Sequence, residues 1–120
     1  MIENPSNVVA PNDVRESDVI IDARKHPGKQ QIRGALRYDP QALLQTRAQL
    51  PLARDRRVIV DAESQAAAQT IGDHLAQLGF PYVGVLLGGF EAWKRAGLPL
   101  EEATQEQPIP DIEGSGLHRL

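Results

Sequence analysis

The sequence predicts an α/β fold of three layers, with helices on both faces of a mainly parallel sheet of roughly five strands. The first observation is the short apolar run Val58–Val60, which is followed by a helical pattern and then by a second apolar run at 82–87. Apolar runs bounded by polar residues are typical of strands that are buried on both faces. A third run at 18–22 repeats the pattern, and the alternation of strands with helices favours parallel pairing.

The remaining elements follow from local signals. Ser64 stands at a helix N-cap position ahead of an alanine-rich segment, and Gly79 can end that helix. One apolar stripe at spacings of four and three marks its buried face: Ala67, Ile71, Leu75 and Leu78. We further predict a loose end at 1–6, an edge strand at 8–9, a helical turn at 11–15, a loop at 23–31, a strand at 35–38, a helix at about 41–49 and a helix at 90–96.

The last part of the chain differs in composition from the rest. Residues 101–120 are rich in Pro, Gly, Gln and acidic side chains and show no periodicity, so we divide the chain into one domain at 1–100 and an extended or disordered tail. Ile109, Ile112 and Leu117 are the apolar residues by which this tail could pack on the domain or on a second copy. Self-association as a homodimer is therefore one open hypothesis.

Composition limits the function classes. The 120 residues carry a net charge of −3, which gives no electrostatic footprint for nucleic acid, and no apolar run is long enough to span a membrane. The N-terminus lacks the pattern of a signal peptide, so we expect a cytoplasmic location by default. The chain contains no cysteine, which excludes disulfides and thiolate metal sites. His26, His74 and His118 show no ligand spacing, so we expect neither a metal nor a cofactor.

Ligands of parallel α/β sheets bind beyond the carboxyl ends of the strands, where helix N-termini point. The loop after Val58–Val60 is therefore the first place to look for a site, although it has no cysteine, histidine, lysine or arginine. Asp22 and Arg24, which follow the first buried strand, are expected nearby. The candidate binding residues are Asp61, Ala62, Glu63, Ser64, Gln65, Ala66, Ala67, Ala68, Asp22 and Arg24.

Four blocks of sequence point to a known family. They are VIIDAR at 19–24, QIRGAL at 31–36, VIVDA at 58–62, and LGFPYV at 78–83 with LGGFEAW at 87–93 and AGLP at 96–99. In order and spacing these blocks resemble the rhodanese-like domain, whose active members are sulfurtransferases. The resemblance implies the rhodanese-like α/β/α fold, with a cysteine that carries the transferred sulfur in a loop of the form Cys-x-x-Gly-x-Arg.

The chain departs from that motif at each of its defining positions. Ala62 falls on the cysteine, Gln65 on the glycine and Ala67 on the arginine. A methyl group can neither attack nor hold sulfur, because the thiolate is the nucleophile. A phosphatase of the related cysteine-dependent type needs the same thiolate together with an arginine that binds phosphate, and Ala67 stands at the arginine position. We therefore predict that the chain is not an enzyme, and that it is a catalytically inactive rhodanese-like domain that binds an unidentified protein or peptide in a regulatory role.

Two alternatives remain open. The first is an enzyme of different chemistry, in which Asp61, Glu63 or Ser64 acts together with Asp22 and Arg24. Such a site needs these side chains to converge in a concave pocket, with at least one perturbed pKa. The second is a sulfurtransferase whose cysteine has been exchanged for Ala62 by engineering.

Overall fold

The computed structural model of the chain describes residues 7–47 and 50–109. A turn of 3-10 helix at Pro11–Asp13 precedes the second strand, where a helical turn is predicted. The strands are β1 (Val8–Val9), β2 (Val19–Ala23), β3 (Gln30–Ile32), β4 (Leu36–Arg37), β5 (Val58–Ala62), β6 (Val83–Leu86) and β7 (Leu100–Glu102). The helices are α1 (Pro40–Gln45), α2 (Gln65–Gln77) and α3 (Gly89–Arg95).

The main sheet has five strands in the order β1-β6-β5-β2-β4, and every neighbouring pair is parallel. This confirms the predicted fold class. The pairing of β2 with β5 sets Asp22 opposite Asp61 and Ala23 opposite Ala62 at the carboxyl end of both strands. The register thus brings the candidate residues of two distant segments to one edge of the sheet.

Strand β5 lies at the centre of the sheet because both of its faces are apolar. Val58 and Val60 pack in a cluster with the helix residue Leu75, whereas Ile59 packs in a second cluster with Trp93. Successive side chains of a strand point to opposite faces, so helices cover the sheet on both sides. Burial of each such side chain stabilises the fold by about 1.5 to 3 kcal/mol.

Side-chain caps begin two of the helices. Asp39 accepts a hydrogen bond from the backbone N–H of Ala42 at the start of α1, and Ser64 accepts one from Ala67 at the start of α2. The Ser64 cap is confirmed. Helix α1 ends at Gln45, earlier than predicted, because Thr46 already has an extended backbone; positions 48 and 49 lie outside the described residues. The buried residues of α2 are Ala68, Ile71, Gly72 and Leu75, so the stripe includes Ala68 rather than the half-buried Ala67.

A second, two-stranded sheet was not predicted. Strands β3 and β7 pair in antiparallel fashion, so part of the expected loop at 23–31 is strand. Both strands are short and polar and carry no periodicity of their own, and each depends on a partner about seventy positions away. The side chain of Gln31 is fully buried between them. Its amide donates to Ala35 O at 3.0 Å and Glu101 Oε2 at 2.8 Å, and accepts from Thr104 N at 2.9 Å.

The packed chain continues past the predicted domain boundary at residue 100. Glu101 and Glu102 belong to β7, Arg37 forms an ion pair with Glu106 at 3.6 Å, and Ile109 is 0% exposed in the larger core cluster. Residues 101–109 therefore pack on the domain through Ile109, one of the contacts that the sequence suggested, and positions 110–120 of the predicted tail lie outside the described residues. Ile112 and Leu117 lie outside the described residues, so self-association stays a prediction.

Candidate functional site

A pocket of about 340 Å³ lies at the carboxyl ends of β5 and β6, between the starts of α2 and α3. Six of the ten predicted site residues line it: Arg24, Ala62, Glu63, Ser64, Gln65 and Ala68. Ala66 and Ala67 do not line it, and Asp22 and Asp61 are buried beside it. The lining residues that sequence reasoning missed are His26, Leu86, Gly88, Gly89, Phe90 and Glu91. The turn after β6 could have been found by the strand-end argument that located the loop after β5.

A second, wider cavity of about 590 Å³ lies away from this pocket, next to the start of β2. Its lining includes Asp18, Arg33, Trp93 and Pro99. The indole N–H of Trp93 donates to Pro99 O at 2.8 Å, which ties α3 to the chain that follows it. This cavity contains none of the predicted site residues.

The polar side chains of the loop are bound to the protein itself. Ser64 Oγ accepts the backbone N–H of Ala67 at 3.0 Å, and Glu63 Oε2 accepts that of His26 at 2.8 Å. The Gln65 side chain crosses the pocket edge, where its Oε1 accepts the backbone N–H of Gly88 at 3.0 Å. The loop therefore joins both helix starts through its own side chains.

Asp61 is the most perturbed group of this region. Its side chain is fully buried, and Oδ1 accepts the backbone N–H of Phe90 at 3.0 Å, so the carboxylate caps α3 from the end of β5. Its second oxygen, Oδ2, has no hydrogen-bond partner and lies 3.7 Å from Arg24 Nε. Burial raises the pKa of Asp61 to about 7, and the charge of Asp22 adds to the rise.

Arg24 is held by several partners at once. Its Nε donates to Asp22 Oδ1 at 3.0 Å and its Nη2 to Asp22 Oδ2 at 2.8 Å. Nη1 donates to Pro27 O at 3.2 Å, and Nη2 donates also to Gln30 O at 2.8 Å, while the guanidinium lies 4.0 Å from the ring centroid of Phe90. Burial disfavours the cation, but the hydrogen bonds and charge of Asp22 outweigh this and raise the pKa of Arg24. Four of the five guanidinium N–H groups are thus occupied.

The hypothesis of non-cysteine enzyme chemistry requires Asp61, Glu63 or Ser64 to act together in the pocket. Asp61 has the perturbed pKa that such a site needs, but its carboxylate is sealed beneath the turn after β6. Glu63 and Ser64 do line the pocket, but each binds a backbone N–H and neither contacts Asp61 through a hydrogen bond in the described chain. The three residues therefore do not form an acid–base pair in the pocket.

Within residues 7–47 and 50–109, no group of three or more His, Asp or Glu side chains is arranged to hold a metal ion. His74 Nε2 lies 2.9 Å from Thr46 O and joins α2 to the end of α1, and His118 lies outside the described residues. None of the helices in the described part of the chain has the length and apolar character needed to cross a membrane.

The parallel sheet and the pocket at its carboxyl edge place the chain among α/β domains with a ligand site at the strand ends. Comparison with known proteins identifies the family. The rhodanese-like domain family matches residues 8–96, so the chain belongs to this family. The crystal structure of the rhodanese-like domain of an Anabaena protein is 27% identical, with a TM-score of 0.61, and the match covers 73% of this chain and 84% of that one.

Two further relatives carry enzyme names. The chain is 42% identical over 55 residues to the thiosulfate sulfurtransferase GlpE of Actinobacillus succinogenes, which covers 46% of this chain and 50% of the relative. The structure of a thiosulfate sulfurtransferase from Pseudomonas aeruginosa is 25% identical with a TM-score of 0.63, over 78% of this chain and 19% of that one. The chain thus spans about half the length of the curated relative that it matches.

These relatives correct the prediction that the chain is not an enzyme. That prediction is wrong, because the chain belongs to the rhodanese-like domain family and both named relatives are thiosulfate sulfurtransferases. The pocket itself lacks the nucleophile of those enzymes. The 120 residues contain no cysteine and Ala62 lines the pocket, so no side chain of this chain supplies a thiolate.

Proposed function

We propose that this rhodanese-like domain is a binding domain whose pocket receives a short segment of a protein partner. The observation that carries the proposal is the open pocket of about 340 Å³ at the strand ends, where the methyl group of Ala62 lies among the lining residues. A pocket at this edge of a parallel sheet is the usual location of a ligand site.

The size and lining of the pocket favour a side chain of a peptide over a larger ligand. Ligand pockets span about 300 to 1,000 Å³, and this one lies at the lower end of that range. Ala62, Ala68, Leu86 and Phe90 provide the apolar part of its lining. Leu87, directly after the lining residue Leu86, is 49% exposed and offers apolar surface for the backbone or neighbouring side chains of the same segment.

The proposal is compatible with the chemistry of the family. Transfer of sulfur through a persulfide requires a thiolate, which this chain does not contain. In any such reaction that involves this domain, the thiolate comes from outside these 120 residues. A role in binding the segment that carries it uses the pocket that the domain has.

A selection for peptide ligands tests the proposal. Random peptides displayed on phage are selected on the immobilised domain, and the affinities of the enriched peptides are measured by calorimetry. The variant Ala62→Leu places a larger apolar side chain in the pocket, and Ala76→Leu makes the same change at an exposed position of α2. We expect Ala62→Leu to weaken binding by about tenfold or more and Ala76→Leu to leave it unchanged.

Two outcomes would contradict the proposal. One is the enrichment of no peptide above the background of uncoated support. The other is a set of enriched peptides that bind Ala62→Leu as tightly as the unaltered domain, which would place the peptide site elsewhere on the molecule.

A further inference from the structure

We infer that the pocket recognises a basic side chain, the lysine or arginine of a protein partner, an inference that rests on the proposed function and names its ligand. Three observations lead to this ligand. Three backbone donors at the pocket already have side-chain acceptors, the two exposed carboxylates of the lining are negative, and the apolar part of the lining suits the stem of a long basic side chain.

Three backbone donors at this edge of the sheet are bound by side chains of the protein itself. Helix starts bind anions through their free backbone N–H groups. Here the N–H of Ala67 is bound by Ser64, that of Gly88 by Gln65 and that of Phe90 by Asp61. An anion would have to displace these side chains before it could use the donors.

The one arginine of the pocket lining is also unavailable to an anion. Asp22 binds Arg24 through both carboxylate oxygens, at 3.0 and 2.8 Å, and neutralises its charge. Two backbone carbonyls, of Pro27 and Gln30, occupy further N–H groups of the guanidinium. A second carboxylate from a ligand therefore finds no free fork of donors here.

The exposed charges of the pocket lining are carboxylates. Glu63 and Glu91 are both exposed lining residues, on the loop after β5 and in the first turn of α3. The positive ends of the α2 and α3 dipoles oppose a cation here, but the charges of two carboxylates exceed the roughly half charge at each helix start. With Arg24 paired by Asp22, the sum of these charges favours a cation.

The apolar part of the lining fits the remainder of a basic side chain. Lysine and arginine bury their methylene stems against apolar surface while the charged head reaches polar groups. Ala62, Ala68 and Leu86 provide such a surface, and Glu63 and Glu91 provide acceptors on two sides. A pocket of about 340 Å³ has room for one such side chain.

Titration with three blocked pentapeptides tests the inference. Each has glycine at four positions, and the central residue is lysine, norleucine or glutamate. Chemical shifts of the ¹⁵N-labelled domain report the site of binding. We expect the lysine peptide to shift amides of residues 62–68 and 88–91, with an affinity about tenfold higher than that of the norleucine peptide. The glutamate peptide is expected to leave these amides unchanged.

Matched variants assign the effect to the two carboxylates. Glu63→Gln keeps an acceptor for the N–H of His26 but removes the charge, and Glu91→Gln does the same on α3. We expect each to weaken binding of the lysine peptide about threefold to fivefold, more at low salt than at high salt. Glu102→Gln makes the same exchange on β7, outside the pocket, and should leave the affinity unchanged.

The outcomes separate this inference from the proposed function. Equal affinity for the lysine and norleucine peptides at the pocket would overturn the inference and leave peptide binding intact. Tighter binding of the glutamate peptide, or no shift with the lysine peptide at millimolar concentration, would also overturn it. If phage selection also enriches no peptide, the proposed function fails as well.

Discussion

The two ends of the β2–β5 strand pair each hold a carboxylate, and the pKa is lowered at one end and raised at the other. Just ahead of β2, Asp18 accepts from Arg57 Nε at 3.1 Å and Nη2 at 2.7 Å, and from the backbone N–H of Arg15 at 2.8 Å. Burial would raise the pKa of Asp18, but these hydrogen bonds outweigh it and hold the pKa below its ordinary value. At the other end, Asp61 has its pKa raised to about 7.

Burial is the largest cause of the rise at Asp61, and the hydrogen bonds that offset burial at Asp18 are missing there. The two ends also differ in the number of carboxylates that share one cation. Arg57 donates to both carboxylate oxygens of Asp18, whereas Arg24 is bound through both carboxylate oxygens by Asp22 and leaves Asp61 at 3.7 Å. The buried carboxyl of Asp61, with its raised pKa, therefore destabilises the pocket end, and the opposite end has no comparable group among the described residues near Asp18. Perturbed carboxylates of this kind are common at functional sites.

The largest effect should come from removal of the shared cation. Arg24→Met keeps the stem that packs on Phe90 but leaves Asp22 buried without a charged partner. We expect a loss of about 3 to 5 kcal/mol in the free energy of unfolding, measured with urea. Arg57→Met should lose only about 2 kcal/mol, since Asp18 keeps the N–H of Arg15. Equal losses would mean that the two ends are equivalent.

The pH dependence of stability should follow Asp61. Its folded pKa of about 7 exceeds its unfolded value, so the folded chain retains a proton that the unfolded chain has released. The free energy of unfolding should therefore decrease by about 2 to 3 kcal/mol from pH 5 to pH 8. Asp61→Asn should abolish this decrease.

Asp18→Asn is the control for this dependence. Because the pKa of Asp18 is lowered, its stabilising contribution is complete above its unfolded pKa and is lost only as the pH falls through the folded value. The variant should leave the decrease in the free energy of unfolding between pH 5 and pH 8 unchanged. If the same decrease persists in Asp61→Asn, it comes from the titration of another group.

The pKa of a thiol introduced at position 62 should report the electrostatic environment of the pocket. In Ala62→Cys the new thiol would lie beside Asp61 and Glu63, with the nearby N–H groups of Ala67 and Gly88 already bound. We expect its pKa to lie about one unit above the ordinary value, measured from the pH dependence of alkylation by iodoacetamide. Ala76→Cys on exposed α2 should show an ordinary pKa. A depressed pKa at position 62 would indicate free donors at the pocket.

The smallest effect is expected for the bridge between the two helix starts. Gln65→Ala removes the acceptor of the Gly88 N–H and should reduce stability by about 0.5 to 1.5 kcal/mol. Hydrogen exchange at that amide should become faster. Gln77→Ala, at the exposed end of the same helix, should change stability by about 0.5 kcal/mol or less. Similar losses in both variants would show that the bridge adds nothing beyond helix propensity.

The elements that sequence reasoning found are those with their own local signal. The run Val58–Val60 is apolar on both faces, and Ser64 begins its helix with a side chain that caps it, so neither needs a distant partner to be recognised. Strands β3 and β7 were missed because their stability lies in contacts between segments. The buried amide of Gln31 is satisfied only when Glu101 and Thr104 reach it.

The site was predictable to a similar extent. Parallel strand ends placed the loop at 61–68 near Asp22 and Arg24, and the register of β2 with β5 explains why this worked. The capping of α3 by Asp61 could not be predicted, since it depends on how β6 positions the next turn. The shared use of Arg24 by two carboxylates likewise requires distances that no sequence pattern contains.

Ile109 has a consequence for biosynthesis. A ribosome makes the chain from the amino end, so all five strands of the main sheet leave the exit tunnel before this core side chain does. The β3 edge stays unpaired until β7 has emerged, and an apolar notch stays open until Ile109 follows, and both surfaces favour association with other chains. A recombinant fragment that stops at the final Pro99 of the family motif would keep that notch permanently.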